Sequence, residues 1–124
     1  EKIVAPNGII ILDDSYNANP ASAQAALDVL AGYSTRKVVQ TPGFVEQGTN
    51  TTSAHAQLCE QIKTVADAVI VVGELNRVDF EKGLQNFTGE VFYVSDRESA
   101  KQFYPQLLQS GDVLLILNDI PENY

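Results

Sequence analysis

The segment Asp13-Asp14-Ser15-Tyr16-Asn17-Ala18-Asn19-Pro20 brings two carboxylates, a hydroxyl, a phenol and two side-chain amides into eight residues, directly after an apolar run at 9–12. Short polar groups beside the start of a helix suit a phosphate or a ribose, because first-turn N–H groups lack intrahelical acceptors and carry the positive end of the helix dipole. A plain structural reading fits the same residues. In it Asn19 caps the helix, Asn17 makes a turn, and Asp13 and Asp14 are solvated.

Three further places carry side chains capable of chemistry. In Thr41-Pro42-Gly43-Phe44-Val45-Glu46-Gln47-Gly48, Glu46 either meets a ligand or caps amides of its own turn. His55 lies on the apolar stripe of a predicted helix, as a satisfied interior histidine or as a substrate-side group. Asn118 and Asp119 follow the last apolar run and either line a cleft or end an exposed strand. His55 and Cys59 stand four residues apart, but two ligands without a third do not make a zinc site. Cys59 is the only cysteine, so no internal disulfide forms and no metal centre is expected. A Gly-x-x-x-x-Gly-Lys-Ser/Thr loop and a Gly-x-Gly-x-x-Gly turn are both missing, so the chain is not expected to carry out ATP chemistry alone.

The elements that must position these residues follow from patterning. Apolar runs at 9–12, 37–40, 68–72, 91–94 and 113–117 are short, rich in β-branched residues and little alternated, which is the pattern of strands covered on both faces. Ala23, Ala26, Leu27, Leu30 and Tyr33 form one helical stripe, opened by Asn19 as N-cap and Pro20 at the first helical position. His55, Leu58, Cys59, Ile62, Val65 and Ala66 form a second. A third helix is predicted over 79–87. The fourth is announced by Ser95 and Glu98 at capping-box spacing, with Pro105 expected to kink or shorten it. Strand and helix in alternation predict one Rossmann-like α/β domain over residues 1–124: a mostly parallel sheet of five or six strands with helices on both faces, and ligands at the carboxyl ends of the strands. Residues 1–7 show no periodicity and read as the end of an interdomain connection.

At 124 residues, with 44% hydrophobic and 19% charged residues, the chain has the size and composition of one soluble domain. Sixteen acidic against eight basic residues give a net charge of −8, which excludes a generic nucleic-acid binder. No apolar run is long enough to cross a bilayer, and the lone cysteine fits a cytoplasmic location. A nucleotide bound here would need its phosphate charge met by backbone amides, a metal or another domain.

Ile11-Leu12-Asp13-Asp14-Ser15-Tyr16-Asn17-Ala18-Asn19-Pro20, with the helix after it, closely resembles the opening strand, loop and helix of the C-terminal domain of Mur-type peptide ligases, in the D-alanyl-D-alanine-adding branch. It looks like the counterpart of the Asp-Tyr-Ala-His-Asn-Pro motif of related Mur and folylpolyglutamate ligases, whose loop meets ATP when this domain closes over the central one. The resemblance implies nucleotide-side contacts at Asp14, Ser15, Asn17 and Asn19, with either Asp14 or Ser15 in the place of the family's aspartate. Glu46, Gly48 and His55 match the family's second loop, whereas Thr41-Pro42-Gly43 replaces its Gly-Asp-Met and suggests a divergent subgroup. Leu117-Asn118-Asp119 likewise stands where Lys-Gly-Ser is usual.

What the resemblance implies for function is an ATP-dependent amide ligase of peptidoglycan precursor synthesis. ATP phosphorylates the carboxylate of UDP-N-acetylmuramoyl-tripeptide, and the amine of D-alanyl-D-alanine attacks the acyl phosphate. The chain would be an inactive fragment of that enzyme, with ATP and Mg²⁺ held mainly by the central domain and the UDP-sugar by the N-terminal one. The sequence begins after the linker where an arginine commonly sits. The rival reading is a small binding module of receiver type, with Asp13 and Asp14 as its acidic pair. That class needs an aspartate after the third strand and a lysine after the fifth, where this chain has Gly73-Glu74 and Asn118.

Overall fold

Val69, Ile70 and Val71 are sealed from solvent with their neighbours on both sides, as a strand covered by helices on two faces must be. They belong to a six-stranded sheet in a computed structural model of the chain, which describes residues 1–15, 19–44 and 50–117. In chain order the elements are β1 (Lys2–Val4), β2 (Ile10–Asp14), α1 (Pro20–Ala31), β3 (Lys37–Thr41), α2 (Thr51–Val65), β4 (Ala68–Val72), α3 (Arg77–Gly83), β5 (Glu90–Val94), α4 (Arg97–Leu107) and β6 (Val113–Leu117).

The strands lie in the order β1-β2-β6-β3-β4-β5, all parallel except β1, which runs antiparallel to β2. Right-handed crossovers then dictate the layers. The steps β2 to β3, β3 to β4 and β4 to β5 move the same way across the sheet, so α1, α2 and α3 share one face; the step back from β5 to β6 puts α4 on the other. The two cores agree with this. Leu27, Leu30, Leu58, Ile62 and Phe80 of the three-helix layer pack on Leu12, Val39, Val69 and Leu115, while Ala100 and Leu107 of α4 pack on Val38, Ile70 and Leu114.

Two expectations need correction. The aperiodic start contains a strand, β1, whose three residues are exposed and too few to display a period. The fourth helix is capped by Asp96 and not by Ser95: the Asp96 carboxylate accepts from the Ser99 amide at 2.7 Å, and Ser95 Oγ pairs instead with Ser99 Oγ at 3.1 Å. Pro105 sits inside α4, which continues to Leu107.

Candidate functional site

Because five strands are parallel, their carboxyl ends share one edge, and the segments leaving that edge are where a ligand meets this fold. β2 and β3 flank β6, so their exits lie two strand spacings apart, about 10 Å.

At the β2 exit, Asp13 and Asp14 pair in register with Ile116 and Leu117 of β6. Ser15 turns back on Asp13: its amide donates to Asp13 Oδ1 at 3.0 Å and its hydroxyl donates to the same oxygen. This Asp-x-Ser turn ends the strand. Asn19 Oδ1 then accepts from the Ser22 amide at 2.9 Å, with Asn19 extended (φ −134°) and Pro20 at the first helical position. The capping role is therefore present in the structure. Asp13 and Asp14 also open onto a cleft of about 340 Å³ between β2 and α1, bounded by Ser22, Ala26 and Val29. Acidic oxygens and one flank of α1 thus face one space. The carboxylates suit hydroxyl and amine donors.

At the β3 exit the chain is held from beneath. The Gly43 amide donates to Thr41 Oγ1 at 3.0 Å, and the Phe44 amide to His55 Nε2 at 2.9 Å. Asn76 Nδ2 donates to the carbonyls of Pro42 and Phe44 at 2.9 and 3.1 Å. His55 is 0% exposed, stacked on Phe44 and tilted against Phe80, with its Nδ1 2.8 Å from Asp79 Oδ2. Gly43 has a φ of +87°, and a Cβ there would lie 2.7 Å from His55 Nε2 and 2.9 Å from Asn76 Nδ2. Only glycine fits. That accounts physically for Gly43 in the divergent Thr41-Pro42-Gly43 stretch.

His55 thus takes the interior role, with both ring nitrogens engaged and no face open to a ligand. Asp14 and Ser15 stand at the end of β2, and Asn19 caps α1. Asn17, Glu46, Asn118 and Asp119 lie outside the described residues. Sequence reasoning missed Asn76 and Asp79 as partners of the second loop, since each sits over 20 residues from the group it holds. The Asp-x-Ser spacing was the one available signal for the turn at Asp13.

Arg77 at this edge is already paired. Arg77 lies over the Tyr93 ring, 4.5 Å from its centroid, and pairs with Glu81 at 3.2 Å and Glu74 at 3.7 Å. Burial and the nearby Glu81 push the Tyr93 hydroxyl's pKa up. Among the described residues no three His, Cys, Asp or Glu side chains cluster to hold a metal, and no helix is long and apolar enough to cross a membrane. A larger cleft of about 580 Å³ runs between α2 and α3, from Thr52, Ser53 and Asp79 near the β3 exit toward Lys63 and Gln85.

Comparison with known proteins gives a consistent result. The family model described as "Mur ligase, glutamate ligase domain" matches residues 1–118. The UDP-N-acetylmuramoyl-tripeptide--D-alanyl-D-alanine ligase of Haemophilus influenzae is 39% identical over 62 residues, covering 50% of this chain and 13% of that protein. The ligase of the same description from Escherichia coli K12 is 38% identical over 66 residues, covering 52% and 15%. The chain therefore spans only a small part of the length of these relatives. Among solved structures, the MurF ligase of Thermotoga maritima in complex with ADP superposes with a TM-score of 0.73 at 24% identity, over 93% of this chain and 26% of that one. MurF from Acinetobacter baumannii gives 0.75 at 22%, over 96% and 27%. At such identities these likenesses establish the fold.

Proposed function

The chain belongs to the Mur ligase, glutamate ligase domain family, and on that premise we propose that it is the C-terminal, nucleotide-closing domain of a cytoplasmic ATP-dependent amide ligase joining D-alanyl-D-alanine to UDP-N-acetylmuramoyl-tripeptide. The two curated relatives are ligases of that description. A solved neighbour of the same fold is in complex with ADP.

The observation that carries the reading is the β2 exit. A turn built by Asp13 and Ser15 ends β2 at the carboxyl edge of a mostly parallel sheet, and α1 begins with a capped first turn. Asp14 and Ser15, with Asn17 and Asn19 of the same motif, form the nucleotide side of the closed site. When bound, ATP supplies the phosphoryl group that activates the tripeptide carboxylate. This domain's residues orient the nucleotide and keep water from the activated carboxylate as the domains close. A domain of net charge −8, with Arg77 committed to Glu74 and Glu81, leaves most of the phosphate charge to other parts of the enzyme. Mg²⁺ is assigned mainly to the central domain. Glu46, Asn118 and Asp119 are assigned to the substrate side.

Calorimetric titration of the 124-residue chain with ATP tests the division of labour. Weak or absent binding is expected, and tight binding overturns it. In the full-length enzyme, phosphate release should depend on D-alanyl-D-alanine. Asp14→Ala or Ser15→Ala should raise KM for ATP roughly tenfold, the worth of one hydrogen bond to a charged group.

A further inference from the structure

We propose that His55 is a positioning residue for the ligase reaction, setting the shape of the β3 exit through the Phe44 amide; this rests on the ligase reading above. The argument begins with protons. A backbone amide can only donate, so His55 Nε2, 2.9 Å from the Phe44 nitrogen, is the acceptor. Nδ1 therefore carries the ring proton and donates to Asp79 Oδ2 at 2.8 Å. A chain runs from Asp79 on α3 through His55 on α2 to the peptide leaving β3, and it has one direction.

Packing alone does not call for this arrangement. An apolar ring at position 55 would keep the stack on Phe44, 5.7 Å between centroids at 3°, and the contact with Phe80 at 5.4 Å. A fully buried imidazole costs desolvation, which its two hydrogen bonds offset. What the imidazole adds is a fixed acceptor that orients one peptide plane. Asn76 does the same for the carbonyls on either side of Gly43, and Thr41 for the Gly43 amide. Four backbone groups of residues 42–44 thus have dedicated side-chain partners, three of them reaching in from Asn76 and His55. Gly43 and Phe44 are buried, so stability alone already calls for partners inside the protein, and what it leaves open is the shape in which the connection is held. A connection that forms a wall of a reaction site about 10 Å from the β2 exit has to be shaped before the domains meet, because misplacement by 1 Å costs as much as about a hundredfold in rate.

Three substitutions in the full-length enzyme separate the roles. In His55→Gln the amide oxygen reaches the place of Nε2 and can still accept from Phe44. In His55→Asn the amide nitrogen takes the place of Nδ1, keeping Asp79 and losing Phe44. His55→Phe keeps only the ring. The expected result is that Gln retains kcat within about threefold, while Asn and Phe lower it about tenfold or more with KM for ATP changed less than twofold. Unchanged kcat per folded enzyme in Asn and Phe, or an equal loss in all three that follows their melting temperatures, overturns the proposal. Asp79 is partly exposed, so Asp79→Ala provides a milder route should the His55 variants not fold. It should lower kcat severalfold by letting the imidazole turn from the Phe44 amide, which the side-chain ¹⁵N signals of His55 report as loss of the Nδ1–H tautomer that this amide otherwise enforces. A shift of tautomer with no change in kcat would leave His55 purely structural. An unmodified enzyme without D-alanyl-D-alanine-dependent turnover overturns the ligase reading itself, and that failure shows before any variant is made.

Discussion

Arg36 and Asp112, 76 residues apart in the chain, meet at 2.8 Å on the edge of the sheet opposite the candidate site. The same guanidinium donates to the Leu107 carbonyl at 3.0 Å and lies 3.7 Å from Glu90, while the Asp112 carboxylate also accepts from the Gln109 amide at 2.8 Å. One ion pair therefore joins the entry of β3, the end of α4 and the entry of β6. Arg36→Ala leaves a carboxylate with 7% side-chain exposure unmatched and should cost about 2–3 kcal/mol, read from the urea midpoint. A loss below about 0.5 kcal/mol would show that water replaces the arginine.

Gly43→Ala adds a methyl that meets His55 Nε2 at 2.7 Å and Phe80 at 2.9 Å, on a backbone at φ +87°. Strain of about 1–3 kcal/mol is expected from the backbone alone, with further loss from the displaced imidazole. Thermal melting checks this; a melting temperature within a degree of the parent's would mean that the β3 exit is far more pliable than it looks.

Burial beside Leu58 and Phe80 pushes the Cys59 thiol up to about 12. A chromogenic disulfide reagent at pH 8 should accordingly label it only as fast as the domain opens, and immediately in denaturant. Rapid stoichiometric labelling of the folded domain would contradict the packing of α2 against α3.

Asp96 has its pKa lowered because its carboxylate accepts from the Ser99 backbone and hydroxyl. A depressed folded-state value means that the cap stabilises fully above about pH 4, the range of an unfolded aspartate, and loses its effect as pH falls through the lower folded value. Asp96→Asn keeps an acceptor without the charge and should flatten that part of the acid limb in pH-dependent melting. An unaltered limb would assign acid sensitivity elsewhere.

Asn19→Ala removes the acceptor for the Ser22 amide and should cost about 1 kcal/mol, with Asn19→Ser restoring most of it. Equal stability of all three would mean that the capping bond contributes nothing to α1.

Much of this fold was legible because its information is local. Ala68–Val72 is a strand with the bounds its apolar run predicts, and Asn19-Pro20 opens α1 as the residue types demand. β1 was invisible since its pairing with β2 is a property of the partner, not of Lys2, Ile3 and Val4. Ser95 looked like the cap of α4 by spacing, but Asp96 one residue later has the extended backbone and the stronger acceptor. The motif of the candidate site was readable as a string. Its supporting layer was not: whether His55 faced a ligand or the interior depended on Asp79 and Phe44, and only tertiary contact brings these together.

β6 comes after every other strand in sequence, yet it pairs with both β2 and β3 near the middle of the sheet. Until Val113–Leu117 has been synthesised and has left the ribosome, β2 and β3 lack the partner that joins them, and the Leu12, Val39 and Leu115 core cannot close. The domain should thus acquire protease resistance late and in a single step, after a nascent chain has carried two unpaired strand edges through most of its translation.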